Sequence, residues 1–139
     1  LKRPEAHVAN VSSMGGFFPF PGQTLYGASK AAVKLLTEGL YAELVDTNVG
    51  VSIIFPGAIN TNISANSGVD MGAAAAGSDG PSIPMTQPDA AANMILAAIE
   101  KNKFQAFVGT DSRVMNLLYR LRPKFAVGFI QKQMAKMLQ

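Results

Sequence analysis

Tyr26 and Lys30 stand four positions apart, and Ser13 precedes Tyr26 by thirteen residues. On a helix, the phenol and the ammonium would share one face about one turn from each other. A free tyrosine, with a pKa of ~10, is a poor acid or base near neutrality, and a neighbouring cation favours its phenolate. A serine hydroxyl beside the phenol could hydrogen-bond the same substrate oxygen and hold it while Tyr26 moves a proton. Ser13, Tyr26 and Lys30 are therefore the candidate catalytic residues, and their types suit proton transfer at an oxygen atom.

The chain must supply elements that bring these side chains together. His7–Ser12 is a short β-type run ending in small residues, so a strand is expected over about 7–12. Ser13 lies just past its carboxyl end, where open α/β sheets bind ligands. The stretch Met14–Gln23 carries three glycines, two prolines and Phe17, Phe18 and Phe20, which argues against regular structure. The three rings could wall an apolar substrate site, pack beneath the loop, or meet another subunit. A helix is expected from Thr24, a plausible N-cap, to Val45. On it Tyr26, Lys30, Val33, Leu36, Leu40 and Leu44 fall on one stripe, expected to face a sheet. Ala28, Ala32, Leu35, Gly39 and Ala42 fall on a second. The apolar run Gly50–Phe55 reads as a central parallel strand covered on both faces. Strand, helix and strand in that order predict a right-handed crossover unit.

Beyond Pro56-Gly57-Ala58-Ile59-Asn60-Thr61, residues 62–87 are rich in Ala, Gly, Ser and Asn, a connection long enough to be a lid, a binding loop or disordered. A helix over 88–102, a strand over 104–108 and two amphipathic helices broken near Pro123 complete the expected order. The class is α/β, with residues 1–110 as the sheet region and 111–139 as a helical extension. In that extension Met115, Leu118, Tyr119 and Leu121 are expected to cap the core. Phe125, Phe129, Ile130, Met134 and Leu138 form a further apolar stripe.

Composition narrows the chemistry. At 139 residues, with 48% hydrophobic and 15% charged residues, the chain reads as one soluble globular domain's worth of sequence. The absence of cysteine removes disulfides and thiolate metal sites, and a single histidine, His7, disfavours a histidine-based metal site or a Ser-His-Asp triad. No metal is expected. No run approaches a membrane span and no signal-peptide core opens the sequence, so a cytoplasmic setting is the default. The net charge of +3 is unevenly spread: after Asp111 there is no acidic residue, while six basic ones follow. A basic end could meet phosphate, an anionic membrane or an acidic partner, but a solvated helix face is the plainer reading. No nucleic-acid motif accompanies it.

Asn10-Val11-Ser12-Ser13-Met14-Gly15-Gly16, Tyr26-Gly27-Ala28-Ser29-Lys30 and Pro56-Gly57-Ala58-Ile59-Asn60-Thr61 together resemble the second half of a classical-type short-chain dehydrogenase/reductase. The resemblance spans roughly residues 7–110. It implies the C-terminal half of a Rossmann-like doubly wound parallel sheet, with hydride exchange between NAD or NADP and an alcohol or carbonyl substrate. It further implies that Tyr26 moves the hydroxyl proton, that Ser13 holds the oxygen, and that Lys30 assists Tyr26 and holds the nicotinamide ribose. Pro56, Gly57, Ile59 and Thr61 would lie along the nicotinamide, with the Ile59 backbone near its carboxamide. Gly15 and Phe20 would face the substrate, for which the phenylalanines suggest a lipophilic alcohol or ketone. Ser12 is one residue too far from Tyr26 for the serine role. In such proteins the helix at 24–45 commonly builds a dimer contact, so a homo-oligomer is expected.

The Gly-rich pyrophosphate turn and the upstream asparagine of the family have no counterpart in these 139 residues. The sequence is therefore expected to be part of a longer reductase, and the isolated stretch is expected to be inactive. Two rivals use the same residues differently. Tyr26 and Lys30 also suit sugar-nucleotide epimerisation or dehydration, and the helices with the basic end could form a noncatalytic interaction module. Hydrolysis lacks both a Gly-x-Ser-x-Gly elbow and a usable histidine.

Overall fold

The computed structural model describes residues 4–61 and 85–137. Three strands, β1 (Ala6–Val11), β2 (Val49–Pro56) and β3 (Gln105–Val108), form a parallel sheet in the order β1-β2-β3. The helices are α1 (Thr24–Leu44), α2 (Pro88–Glu100), α3 (Thr110–Leu121) and α4 (Pro123–Met137), and a 3-10 turn covers Met14–Gly16. Most of the expected connection at 62–87 lies outside the described residues; Thr86 at its end forms a parallel bridge with Ile59. Among the described residues, no helix is long and apolar enough to cross a membrane.

β2 is central because its sequence suits both faces. Val51, Ile53, Ile54 and Phe55 are fully or almost fully buried, and such burial stabilises by about 1.5–3 kcal/mol per side chain. Alternation divides the strand's neighbours. Ile54 packs with Ala106, Val108, Ala91 and Ala98, the last two on α2. Ile53 pairs with Asn10 on one side and Gln105 on the other. Those two polar side chains reach α1, Asn10 Nδ2 donating to Thr37 Oγ1 at 3.0 Å and Gln105 Nε2 donating to Glu38 Oε1 at 3.0 Å.

α1 and α2 therefore cover opposite faces, as in a doubly wound sheet. With the strands in sequential order, connections over opposite faces have opposite hands. If β1–α1–β2 follows the right-handed rule for such units, β2–α2–β3 is left-handed.

Several local expectations change. The sheet-facing line of α1 runs through Val33, Thr37, Leu40 and Leu44, and Thr37 is fully buried while Leu36 is 63% exposed. The stripe drawn through Leu36 is thus tilted from the true one, because Thr37, polar but bonded to the Val33 carbonyl and to Asn10, occupies the contact line. The second stripe, with Ala28, Ala32, Leu35, Gly39 and Ala42, is exposed along its length. Thr24 is the first helical residue and Gln23 takes the cap position without a side-chain hydrogen bond.

The Met14–Gln23 stretch is not wholly irregular, since the Ser13 hydroxyl caps a 3-10 turn. Two of its three rings point inward. Phe17 sits edge-on to Phe55 and Phe107, with centroids 5.3 and 5.7 Å away. Phe18 is fully buried against Ala126 and Ile130 of α4, with Met115, Leu118, Tyr119 and Met134 around them. Leu121, the last residue of α3, remains 70% exposed instead of capping the core with Met115, Leu118 and Tyr119. Leu138 lies outside the described residues.

Candidate active site

The parallel register brings the carboxyl ends of β1 and β2 together. Val11 pairs with Ile54, and the Ser12 amide donates to the Ile54 carbonyl at 2.9 Å. The chain then turns, and the two consecutive serines take different tasks. Ser12 is buried, and its hydroxyl donates to the main-chain carbonyl of Lys30 at 2.8 Å. That bond fastens the end of β1 to the second turn of α1. Gly16 permits the close approach, because a Cβ there would press on the Ser12 hydroxyl and stand 2.9 Å from the Lys30 carbonyl oxygen.

Ser13, half-buried, faces the other way. Its Oγ accepts the Gly15 amide at 3.1 Å, which leaves the hydroxyl proton free to donate elsewhere. A Cβ built on Gly15 would lie 3.1 Å from Cε1 of Tyr26 and 3.6 Å from Ser13 Oγ. The phenol ring and the serine hydroxyl thus both lie close to Gly15, which is buried, and a side chain there would crowd the ring. Tyr26 itself is 46% exposed. The Lys30 ammonium stands 5.8 Å from the centre of the Tyr26 ring. Among the described residues the one salt bridge joins Lys34 and Glu38, so no carboxylate neutralises Lys30 there.

The next strand end contributes a turn. Pro56 closes β2 opposite Val108, and the Gly57 amide donates to the Val108 carbonyl at 2.9 Å. The bridge to Thr86 uses the Ala58 carbonyl and the Asn60 amide. By strand alternation the Ile59 amide is directed to the opposite side. Thr61 is exposed, and its amide donates to the Ile59 carbonyl at 2.9 Å. Ser13, Gly15, Tyr26 and Lys30 are thus brought together, and Pro56–Thr61 extends from the adjacent strand. Phe20 is different, because its ring contact is to Phe18 at 5.4 Å and it packs with the α3–α4 cluster.

His7 plays no part here. It sits at the opposite ends of the strands, its register partner being Gly50, with Nε2 2.8 Å from the Ser52 hydroxyl. Ser52 in turn donates to the Lys103 carbonyl at 2.6 Å, so it must accept from the imidazole N–H.

Sequence reasoning missed three residues that hold the site. Ser12 was visible only as a neighbour of Ser13. Asp111 and Ser112 grip the β2 end from the first turn of α3: Asp111 accepts the Ala58 amide at 2.6 Å and Ser112 donates to the Phe55 carbonyl at 2.8 Å. Gly109-Thr110-Asp111-Ser112, small and polar after a strand, carries the signal of a helix start, but the signal does not reveal what the side chains reach.

The model of the short chain dehydrogenase family matches residues 1–72, more than half of the chain. The chain belongs to that family. A "Dehydrogenase/reductase SDR family protein 7-like" of Anopheles gambiae is 29% identical over 138 residues, which is 99% of this chain and 44% of the relative. The protein of the same description from Drosophila melanogaster is 28% identical over 138 residues. The chain thus spans less than half the length of these curated relatives. Among solved structures, a short chain dehydrogenase from Burkholderia cenocepacia in complex with NADP superposes with a TM-score of 0.73 at 25% identity, covering 91% of this chain and 47% of that one. A short-chain dehydrogenase from Streptomyces avermitilis superposes at 0.64 with 28% identity, covering 96% and 52%. The three-stranded sheet corresponds to part of the larger Rossmann-like fold of those proteins.

The two serines should separate in mutagenesis of the full-length protein. Ser12→Ala removes a buried hydrogen bond to a carbonyl and is expected to lower unfolding stability by about 1–3 kcal/mol. Ser13→Ala removes a longer bond made by a half-buried hydroxyl and is expected to cost no more than about 1 kcal/mol. Urea denaturation midpoints of the two variants check the difference.

Proposed function

We propose that the full-length protein is a nicotinamide-dependent oxidoreductase that interconverts an alcohol and a ketone or aldehyde, with Ser13, Tyr26 and Lys30 as its catalytic residues. The observation that carries this reading is the convergence of the Ser13 hydroxyl and the half-exposed Tyr26 ring at Gly15, with the Lys30 ammonium 5.8 Å from the centre of that ring.

The donor set fits a nicotinamide nucleotide. An ammonium without a carboxylate partner among the described residues suits ribose hydroxyls. The outward amide of Ile59 and the exposed Thr61 suit a carboxamide and its neighbouring groups, and Pro56 and Gly57 set where that turn runs. NAD or NADP is the proposed cofactor, and the NADP held by the Burkholderia protein supports the class. When bound, a reduced nicotinamide supplies a hydride to the carbonyl carbon.

Ser13, its oxygen already accepting the Gly15 amide, directs its O–H at the substrate oxygen and fixes that atom beside the phenol. Tyr26 gives its phenolic proton to the same oxygen as the carbon–oxygen double bond becomes single. In the oxidative direction the phenolate takes that proton back. Lys30 places a positive charge over the face of the ring whose oxygen gains and loses the proton.

Gly15 and Phe20 are assigned to the substrate side. Phe20 packs on Phe18 as Phe17 packs on Phe55, so it would offer that side only the part of its ring left uncovered. The proposed setting is the cytoplasm.

Tyr26→Phe in the full-length protein removes the proton and keeps the ring. It is expected to lower kcat for carbonyl reduction by about 10²–10⁴, the usual worth of a positioned acid or base, with an unchanged melting temperature. A variant that kept the wild-type rate would remove Tyr26 from the mechanism.

Self-association through the exposed face of α1, with Leu35 at 71% exposure among alanines and a glycine, belongs to the same proposal. Light scattering of the full-length protein is expected to return at least twice the mass of one chain, and a single-chain mass would remove this contact.

A further inference from the structure

The half-buried Asp111 carboxylate is a group for which proton transfer between Tyr26 and a substrate has no use. It lies at the second residue of α3, and its Oδ2 accepts the Ala58 amide at 2.6 Å, at the short end for such a bond. Its Oδ1 is buried and, among the described residues, has no hydrogen-bond partner. Room for this carboxylate is made from two directions. A Cβ on Gly57 would run into it, as would one on Gly109, which also holds a left-handed φ of 97°.

A carboxylate with one oxygen buried and unpaired is costly, and such groups mark places where the structure serves more than stability. The amino end of α3 offsets part of the charge through its free N–H groups.

The carboxylate acts where the sheet can no longer hold the chain. Pro56 has no N–H to donate, and the strand ladder stops there. Three contacts hold the chain around that point: the Ser112 hydroxyl to the Phe55 carbonyl, the Gly57 amide to the Val108 carbonyl, and the Ala58 amide to Asp111. Beyond them Thr86 bonds the Ala58 carbonyl and the Asn60 amide. Loss of the Asp111 acceptor would free the Ala58 amide and leave the approach to Ile59 held from the Thr86 side alone.

We propose that Asp111 is a positioning residue for the cofactor: by holding the Ala58 amide it fixes the outward Ile59 backbone against the nicotinamide end of the bound nucleotide. This rests on the nicotinamide reading given above. Asp111 touches neither substrate nor cofactor and acts through the turn.

The test uses the full-length protein and two kinds of ligand, NADH or NADPH, and the matching ADP-ribose or 2′-phospho-ADP-ribose, which lack the nicotinamide. Asp111→Ala is expected to weaken dinucleotide binding about tenfold or more, the scale of one lost charge-assisted hydrogen bond, while the nicotinamide-free ligand binds within about twofold of wild type. Asp111→Asn keeps an acceptor of the same shape and is expected to recover most of the loss. If Asp111→Ala does not fold, Asp111→Asn alone carries the test, with a selective loss of about threefold expected.

Equal weakening of both ligands would reduce Asp111 to a structural role and overturn the proposal, as would no weakening of either. A wild-type protein that bound neither dinucleotide would overturn the nicotinamide reading itself, and the positioning role with it.

Discussion

The hydrogen bond from the buried Ser12 hydroxyl to the Lys30 carbonyl is the contact on which the arrangement of the site depends. It joins the carboxyl end of a strand to the early turns of a helix whose direct neighbours in sequence are far away. Once it forms, the residue after Ser12 and the side chains on that part of α1 have little choice of position. Ser13 must emerge beside the first turns of the helix, and Tyr26 and Lys30 must face it. Gly16 is the condition for this approach, since any side chain there meets backbone that cannot move aside cheaply. The reactive residues are thus placed by a neighbour that itself does no chemistry, which is how a site gains precision from rigid elements.

A second fastening acts on the adjacent strand. Ser112 and Asp111, consecutive at the start of α3, reach the Phe55 carbonyl and the Ala58 amide on either side of Pro56. Between the two fastenings lies Phe17, edge-on to Phe55 and Phe107, so the loop after Ser13 and the ends of β2 and β3 share an aromatic contact. Phe18 extends the connection to α4. The helices after β3 are therefore part of the support of the site and not an appendage, because one end grips the β2 turn and the other buries the loop that carries Ser13.

Much of this was legible in the chain, for physical reasons that differ from element to element. The strands were visible because β2 is an apolar run that must be covered on both faces, and α2 because its alanines and isoleucines repeat at helical spacing with a proline at the start. Ser13, Tyr26 and Lys30 stood out because serine, phenol and ammonium at those spacings have a shared chemical use. The contact line of α1 was harder to read, since Thr37 is polar and periodicity ranks it below Leu36, yet its hydroxyl is satisfied by Asn10 and its own helix. The inward turn of Phe17 and Phe18 could not be chosen over an outward one from composition alone. Asp111 was least legible, because a carboxylate in the first turn of a helix is commonplace and its partner, Ala58, lies 53 positions away.

The most direct measurement of the site's chemistry is hydride transfer itself. The full-length protein, given NADH or NADPH carrying deuterium at both hydrogen positions of the transferring carbon and a series of ketones and aldehydes, should yield an alcohol with deuterium on the carbinol carbon, one atom per nucleotide oxidised, seen by mass spectrometry and NMR. Nucleotide oxidation with no deuterium in the alcohol, or no turnover of any carbonyl with either nucleotide, would contradict the assignment of Ser13, Tyr26 and Lys30 to this reaction.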